Sequence, residues 1–270
     1  MRVLAIAAAS GVGLALVFAS AGASAQTREL RWNAALDVPI TLAAAAVWVT
    51  MEGFKPELAP SRCRWCDVDA TDKDARNALL WRSTSAADIA SDVTALLAPV
   101  AAVGVDALAA SHDGSMRGVP LDALLIAEAA ALAADANQLT KLIVGRERPF
   151  VHALGADRKR ETRNPSDNNL AFFSGHATET FALAAATGTV ATMRGYRWAP
   201  AAWIVGGALA AATGYLRIAA DKHWLTDVLV GMMVGAGVGF AVPYLFHRPA
   251  SESGGALGQA TGNLKIALAW

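Results

Sequence analysis

The sequence predicts an all-α protein, a bundle of about six core helices embedded in a membrane. Two observations carry this. The 270 residues are 54% hydrophobic and only 17% charged, with mean hydropathy +0.35, which is too apolar for an ordinary soluble domain. The apolar residues also gather in segments near 38–52, 88–110, 119–145, 175–194, 199–219 and 224–246. None of these alternates strictly enough to demand a sheet.

The first 25 residues read as a secretory signal, with Arg2 as the positive start, an apolar run from Val3 to Phe18, and Ala23-Ser24-Ala25 as the cleavage pattern. The alternative is an uncleaved first membrane helix. Residues 26–87 hold the first helix and a polar loop, 88–246 the main helical domain, and 247–270 a loose C-terminal tail. That tail alternates at Leu264, Ile266, Leu268 and Trp270 but follows a Ser/Gly-rich stretch.

Cys63 and Cys66 are the two cysteines. A lone C-x-x-C lacks the remaining ligands of a structural zinc site and has no thioredoxin-like context. In an exported chain it is expected to close as a local disulfide with no part in the chemistry.

The fifth and sixth segments have the length and apolarity of membrane spans. The second and third carry Asp106, Asp122, Glu128 and Asp135. Charges at mid-membrane cost at least ~2.5 kcal/mol each, so these must face the bundle interior. The expected location is the cell envelope, in a bacterial inner membrane, with a soluble periplasmic bundle as the alternative. Facing stays open: basic loops place the loop-rich end inside, whereas a disulfide places it outside. With 23 basic and 23 acidic side chains and no basic stripe, nucleic acid is excluded as a partner.

Two long polar loops, 53–87 and 146–173, fall at one end of an up-and-down bundle, and the short connections near 111–118 and 194–199 fall at the other. The loop-rich end collects three clusters. Lys141 and Arg148 are seven residues apart, two helical turns, and project from one face before Pro149 ends the helix. Two such cations can hold a dianion. Arg146 reads as a spare, solvated cation. Ser174-Gly175-His176 opens the fourth segment, where a helix N-terminus and a glycine let backbone N–H groups approach an anion. Ser174 can cap the helix or bond a phosphate oxygen, and His176 can give a proton to a leaving alkoxide. In the third cluster His223 and Asp227, at i and i+4, are expected to meet on one helix face, the carboxylate fixing the tautomer of a nucleophilic imidazole. Arg217 adds a third cation. His152 is a candidate for the pocket entrance; His112 and His247 lie away from the clusters.

Together these residues resemble the type 2 phosphatidic acid phosphatase (PAP2) family, which shares its fold with vanadium haloperoxidases. The family pattern K-x6-RP, PSGH, SR-x5-H-x3-D reads here as Lys141…Arg148-Pro149, Phe173-Ser174-Gly175-His176 and Leu216-Arg217…His223…Asp227. Phe173 stands where the family has Pro, and Leu216 where it has Ser. The resemblance implies that His223 attacks phosphorus, Asp227 orients it, and His176 protonates the leaving oxygen. Lys141, Arg148, Ser174, Gly175 and Arg217 would hold the phosphoryl oxygens. It implies no cofactor and no metal. The expected activity is acid-phosphatase-type hydrolysis of a phosphomonoester or pyrophosphate, on a lipid or other small phosphorylated substrate. Alternatives are a soluble periplasmic acid phosphatase, a vanadium-dependent haloperoxidase, or a non-catalytic phosphate-binding envelope protein.

Overall fold

The computed structural model describes residues 27–249. The expected signal and nearly all of the C-terminal tail lie outside the described residues. Among the described residues the chain is helical with no strand. The six long helices are α1 (Ala34–Gly53), α4 (Thr84–His112), α5 (Val119–Val144), α7 (Gly175–Arg194), α8 (Ala199–Ala219) and α9 (Leu225–Phe246). Three short ones lie in the polar loops: α2 (Lys55–Leu58), α3 (Ala70–Leu79) and α6 (Pro149–His152). The loop 53–87 is therefore more ordered than its polarity suggested, because Asp69 caps α3 by accepting the Asp72 N–H at 2.9 Å.

Chain reversals follow local chemistry. Asn33 caps α1 through the Ala35 N–H at 3.0 Å, and Ser83 caps α4 through Ala86 N at 3.3 Å. Gly145 ends α5 at φ 62°, a left-handed conformation that glycine adopts without steric cost. The orphan carbonyls of that helix end go to Arg64, whose Nη1 donates to Leu142 and Ile143 carbonyls at 3.1 and 2.8 Å.

α7 is the central post, buried along nearly its whole length and packed by α4, α5, α8 and α9. Three of its threonines need no outside partner: Thr178, Thr180 and Thr187 donate to carbonyls one turn back at 2.7–2.8 Å, while the buried Thr189 hydroxyl has no hydrogen-bond partner in the protein. α9 lies close against it. Gly231, Gly235 and Gly239 form one stripe, and a Cβ at these positions would fall 2.8, 2.2 and 2.3 Å from the carbonyl oxygens of Ser174, Thr178 and Ala182. Glycine spacing of this kind lets two backbones approach as side chains would not.

Helices α1, α4, α8 and α9 are long and apolar enough to cross a membrane. Their outward residues are large and apolar: Leu42 on α1, Leu96 and Val100 on α4, Ile204 on α8, and Met233 and Phe246 on α9 are all well exposed. A surface this apolar is that of a membrane protein. Of the four charged residues expected to face inward, Asp106, Asp122 and Glu128 are buried and Asp135 is half-buried. Asp122 is satisfied there by Arg194 Nε at 2.8 Å and the Tyr196 hydroxyl at 3.0 Å.

Gly235→Ala should force α9 off α7 and cost about 1–3 kcal/mol by overpacking. Gly237→Ala, with nothing within 4 Å, should be neutral or slightly stabilising. Thermal unfolding of the two variants in detergent measures the difference; equal midpoints would remove the close-packing argument.

Candidate active site

The ends of α5, α7, α8 and α9 meet at the loop-rich end, and with them the three clusters. Lys141 leaves the last turn of α5 and points at the start of α7: a methyl group on Gly175 would lie 2.8 Å from Lys141 Nζ and 3.0 Å from Asn137 Oδ1. Any larger residue at 175 would displace the ammonium.

Arg148 lies just past α5, buried. Its Nε donates to the Asp167 carbonyl at 2.8 Å and its Nη1 to the Lys222 carbonyl at 3.4 Å. Asp167 is held below the ordinary carboxylate range. Burial opposes this, but the charges of Arg148, Lys55 and Lys141 outweigh it.

Ser174 stands at the N-cap of α7 but does not cap it. Its backbone N–H donates to the Asp227 carbonyl at 3.0 Å, while its fully buried hydroxyl has no hydrogen-bond partner in the protein. Phe173, where the family pattern has Pro, is fixed differently: its carbonyl accepts from Asn137 Nδ2 at 2.7 Å. Leu216, in place of Ser, is buried against Ala87, Ala219 and Ala220. A serine from elsewhere serves Arg217 instead, Ser91 on α4, at 2.9 Å.

Arg217 is buried at the end of α8, its Nη1 3.1 Å from Asp88 Oδ1 and 3.5 Å from Asp92 Oδ1. Asp92 also receives His176, with Nε2 2.9 Å from Oδ1. Because a carboxylate only accepts, His176 carries its proton on Nε2 in this pair. Asp88 further pairs with Lys222 at 2.9 Å. These two α4 carboxylates escaped the sequence reading. Their signal is present, two acids one turn apart at the head of a mostly apolar helix.

His223 is 2% exposed, in the turn between α8 and α9. The turn closes through Lys222 and His223 N–H groups donating to the Arg217 carbonyl at 3.1 and 3.3 Å. Asp221 takes the left-handed φ of 62°, tolerable for Asp, and is clamped by Arg76 at 2.6 and 2.7 Å. The expected His223–Asp227 hydrogen bond is absent. Nδ1 donates to the Ala171 carbonyl at 2.7 Å, and Asp227 Oδ2 stands 3.7 Å away. The i,i+4 rule holds only inside a helix, and α9 begins at Leu225, so His223 precedes it. The carbonyl, an acceptor only, places the proton on Nδ1 and leaves the lone pair on Nε2. Burial, with the nearby positive charges of Arg148, Arg217 and Lys141 and the His176 ring, holds the His223 imidazole well below its usual range, so it is neutral.

Asp227 serves other partners. Oδ2 accepts the Trp224 N–H at 2.8 Å, capping α9, and Oδ1 accepts Arg146 Nη1 at 2.5 Å. Arg146 is thus the opposite of a spare solvated cation: it is 1% exposed. Its Nη2 donates to Asp72 Oδ2 at 2.6 Å, its Nη1 also donates to Thr226 Oγ1 at 2.7 Å, and its plane lies 4.0 Å from the Trp65 ring centroid. Asp72 binds Thr226 as well, through N at 2.9 Å and Oγ1 at 2.7 Å. Two carboxylates on either side of one guanidinium explain its burial. One-dimensional spacing could not reveal it, because Asp72 is 74 residues away.

Cys63 and Cys66 are joined in a disulfide. The loop they close carries Trp65, paired with Arg146 through the Glu147 N–H at 3.2 Å. His152 is held by Glu147 at 3.1 Å and lies edge-on to Trp224, ring centroids 5.8 Å apart. Glu147 is shared with Lys159 at 2.6 Å.

Residues 122–250 match the model of the PAP2 superfamily. The matched stretch begins in α5, so α4 with Asp88 and Asp92 precedes it. Among solved structures, the chain is similar to a transmembrane PAP2-type phosphatidylglycerolphosphate phosphatase from Bacillus subtilis, at 16% identity and a TM-score of 0.46, over 77% of this chain and 94% of that one. No curated protein matches the chain.

Two measurements test the electrostatics. Arg146→Met should cost about 3–5 kcal/mol, since Asp72 and Asp227 are left as unpaired buried carboxylates; a change under 1 kcal/mol in unfolding free energy would contradict the pairing. By imidazole 15N NMR, His223 should stay neutral with the proton on Nδ1 as pH falls through 6.5, the ordinary midpoint. Protonation at or above that pH would disprove the burial effect.

Proposed function

We propose, from the premise that residues 122–250 are a PAP2 superfamily region, that the chain is a membrane phosphatase of the cell envelope acting on a lipid phosphate. The observation that carries this reading is the convergence of Lys141, Arg148 and Arg217 about a buried, neutral His223 beside the open N-terminus of α7. Three cations with no phosphate between them repel one another, and a bound phosphoryl group relieves that repulsion.

In this reading the phosphoryl oxygens lie among Lys141, Arg148, Arg217, the Ser174 hydroxyl and the first-turn N–H groups from Gly175 onward. The unpartnered Ser174 hydroxyl supports that placement. His223 Nε2 attacks phosphorus as the bond to the leaving oxygen breaks, giving a phosphohistidine. The Ala171 carbonyl holds Nδ1–H and stabilises the positive charge that develops on the ring. Once the phosphoryl charge offsets the surrounding cations, His176 as an imidazolium keeps Nε2–H on Asp92 and gives its Nδ1 proton to the leaving oxygen, then takes a proton back at Nδ1 from water as that water displaces His223 from phosphorus. Asp92 orients His176 and balances Arg217. Asp227 acts indirectly: it fixes the start of α9, and so the turn that presents His223. Fixed guanidinium and ammonium groups supply the charge stabilisation that metal ions provide in many phosphoryl transfers. The apolar outer faces of α4, α8 and α9 support a substrate that arrives from the bilayer.

The test is phosphate release from a phosphatidate in detergent and from a water-soluble aryl phosphate. His223→Ala should lower turnover of both by about 10³-fold or more while helical circular dichroism is kept. Retained turnover in that variant would remove the nucleophile, and a clear preference for the aryl ester would remove the lipid assignment.

A further inference from the structure

The far end of the bundle holds a second group of buried polar side chains that the phosphate chemistry does not use. Asp37 comes from the first turns of α1, Glu128 from α5, and His247 from the residue after α9. All three are buried, and one ligand atom from each lies within 4.8 Å of the other two. α9 separates this group from His223 by its own length, about 33 Å at 1.5 Å per residue.

Three details mark the group as built for a cation. First, Glu128 is 5% exposed and its Oε2 has no hydrogen-bond partner. Second, His247 is 2% exposed and its Nε2 likewise has none. These two atoms face each other at 3.6 Å, too far for a hydrogen bond. Tetrahedral ligands of zinc, with bonds of about 2.0–2.1 Å, stand about 3.3 Å apart, so the spacing already suits an ion between them. Third, His247 Nδ1 donates to the Arg31 carbonyl at 3.0 Å. That bond fixes the tautomer with the lone pair on Nε2, the outer-shell arrangement characteristic of a metal-bound imidazole. Asp37 is oriented in the same way, its Oδ2 accepting the Asn33 N–H at 2.6 Å.

We propose that Asp37, Glu128 and His247 bind a divalent transition-metal ion of the Zn²⁺ or Mn²⁺ class, as a structural site distinct from the phosphate site. Two carboxylate oxygens and one imidazole nitrogen are a donor set suited to these ions. The metal neutralises two carboxylates that otherwise share an apolar interior. It also staples the start of α1, the middle of α5 and the end of α9, and through Arg31 the segment that leads into α1.

The experiment uses the full-length protein in detergent with any affinity tag removed, stripped with EDTA and reloaded with Zn²⁺. The expected results are about one equivalent of bound zinc by elemental analysis, a melting midpoint that falls on stripping and recovers on reloading, and a visible d–d absorption when Co²⁺ replaces Zn²⁺. Glu128→Gln and His247→Gln should each weaken binding at least about tenfold. An unchanged midpoint with no bound metal would overturn the proposal and leave the group as a proton-sharing pair. Equal metal binding by wild type and both variants would overturn it as well. Should the variants fail to fold, the 15N shift of the wild-type His247 imidazole on zinc addition decides, and no change there overturns the site.

Discussion

One buried guanidinium governs the geometry of the loop-rich end. Arg146 lies between Asp72 and Asp227 and against Trp65, so it ties the loop after α5 to α3, to the disulfide loop and to the first turn of α9. An isolated buried charge would be prohibitively unfavourable, and here each charge is matched within 2.6 Å. Such a network has few alternative solutions: moving any member leaves another uncompensated. The position of His223 follows, because the turn that carries it runs directly into the helix end that Asp227 caps.

Around that anchor the site separates two electrostatic tasks. The cations Lys141, Arg148 and Arg217 converge at the loop-rich end, and the two arginines are steadied from behind by main-chain or acidic partners. Arg148 rests on the carbonyls of Asp167 and Lys222; Arg217 rests on Asp88 and Ser91. The histidines are steadied differently. His223 is held by a neutral carbonyl and stays uncharged among cations, whereas His176 is held by the carboxylate of Asp92. In the proposed reaction the two imidazoles take opposite roles, one as nucleophile and one as acid.

The bundle keeps its polar chemistry at its ends and its apolar surface in the middle. Thr178 and Thr187 are accommodated in the covered α7 because its own carbonyls accept their protons. The glycine stripe on α9 brings the start of α7 near the start of α9, which is why the Ser174 N–H reaches the Asp227 carbonyl. Close backbone packing thus sets the distance between the N-terminus of α7 and the histidine turn.

Sequence by itself determined the six long helices, their near boundaries, and the end of the bundle to which the clusters belong. Apolar segment length and loop polarity are local properties, and an up-and-down path leaves little choice about which termini are neighbours. It also singled out Lys141, Arg148, Ser174-Gly175-His176, Arg217 and His223, because their spacing sits at helix ends. Only the tertiary structure decided which partner each of these groups has. Arg146 looked solvated and is buried; Asp227 looked like the partner of His223 and belongs to Arg146; Asp88, Asp92 and Asp72 meet their cationic partners only on folding. The physical reason is that the energy of a charged group depends on its nearest neighbours in space, and these lie 74 to 129 residues away along the chain.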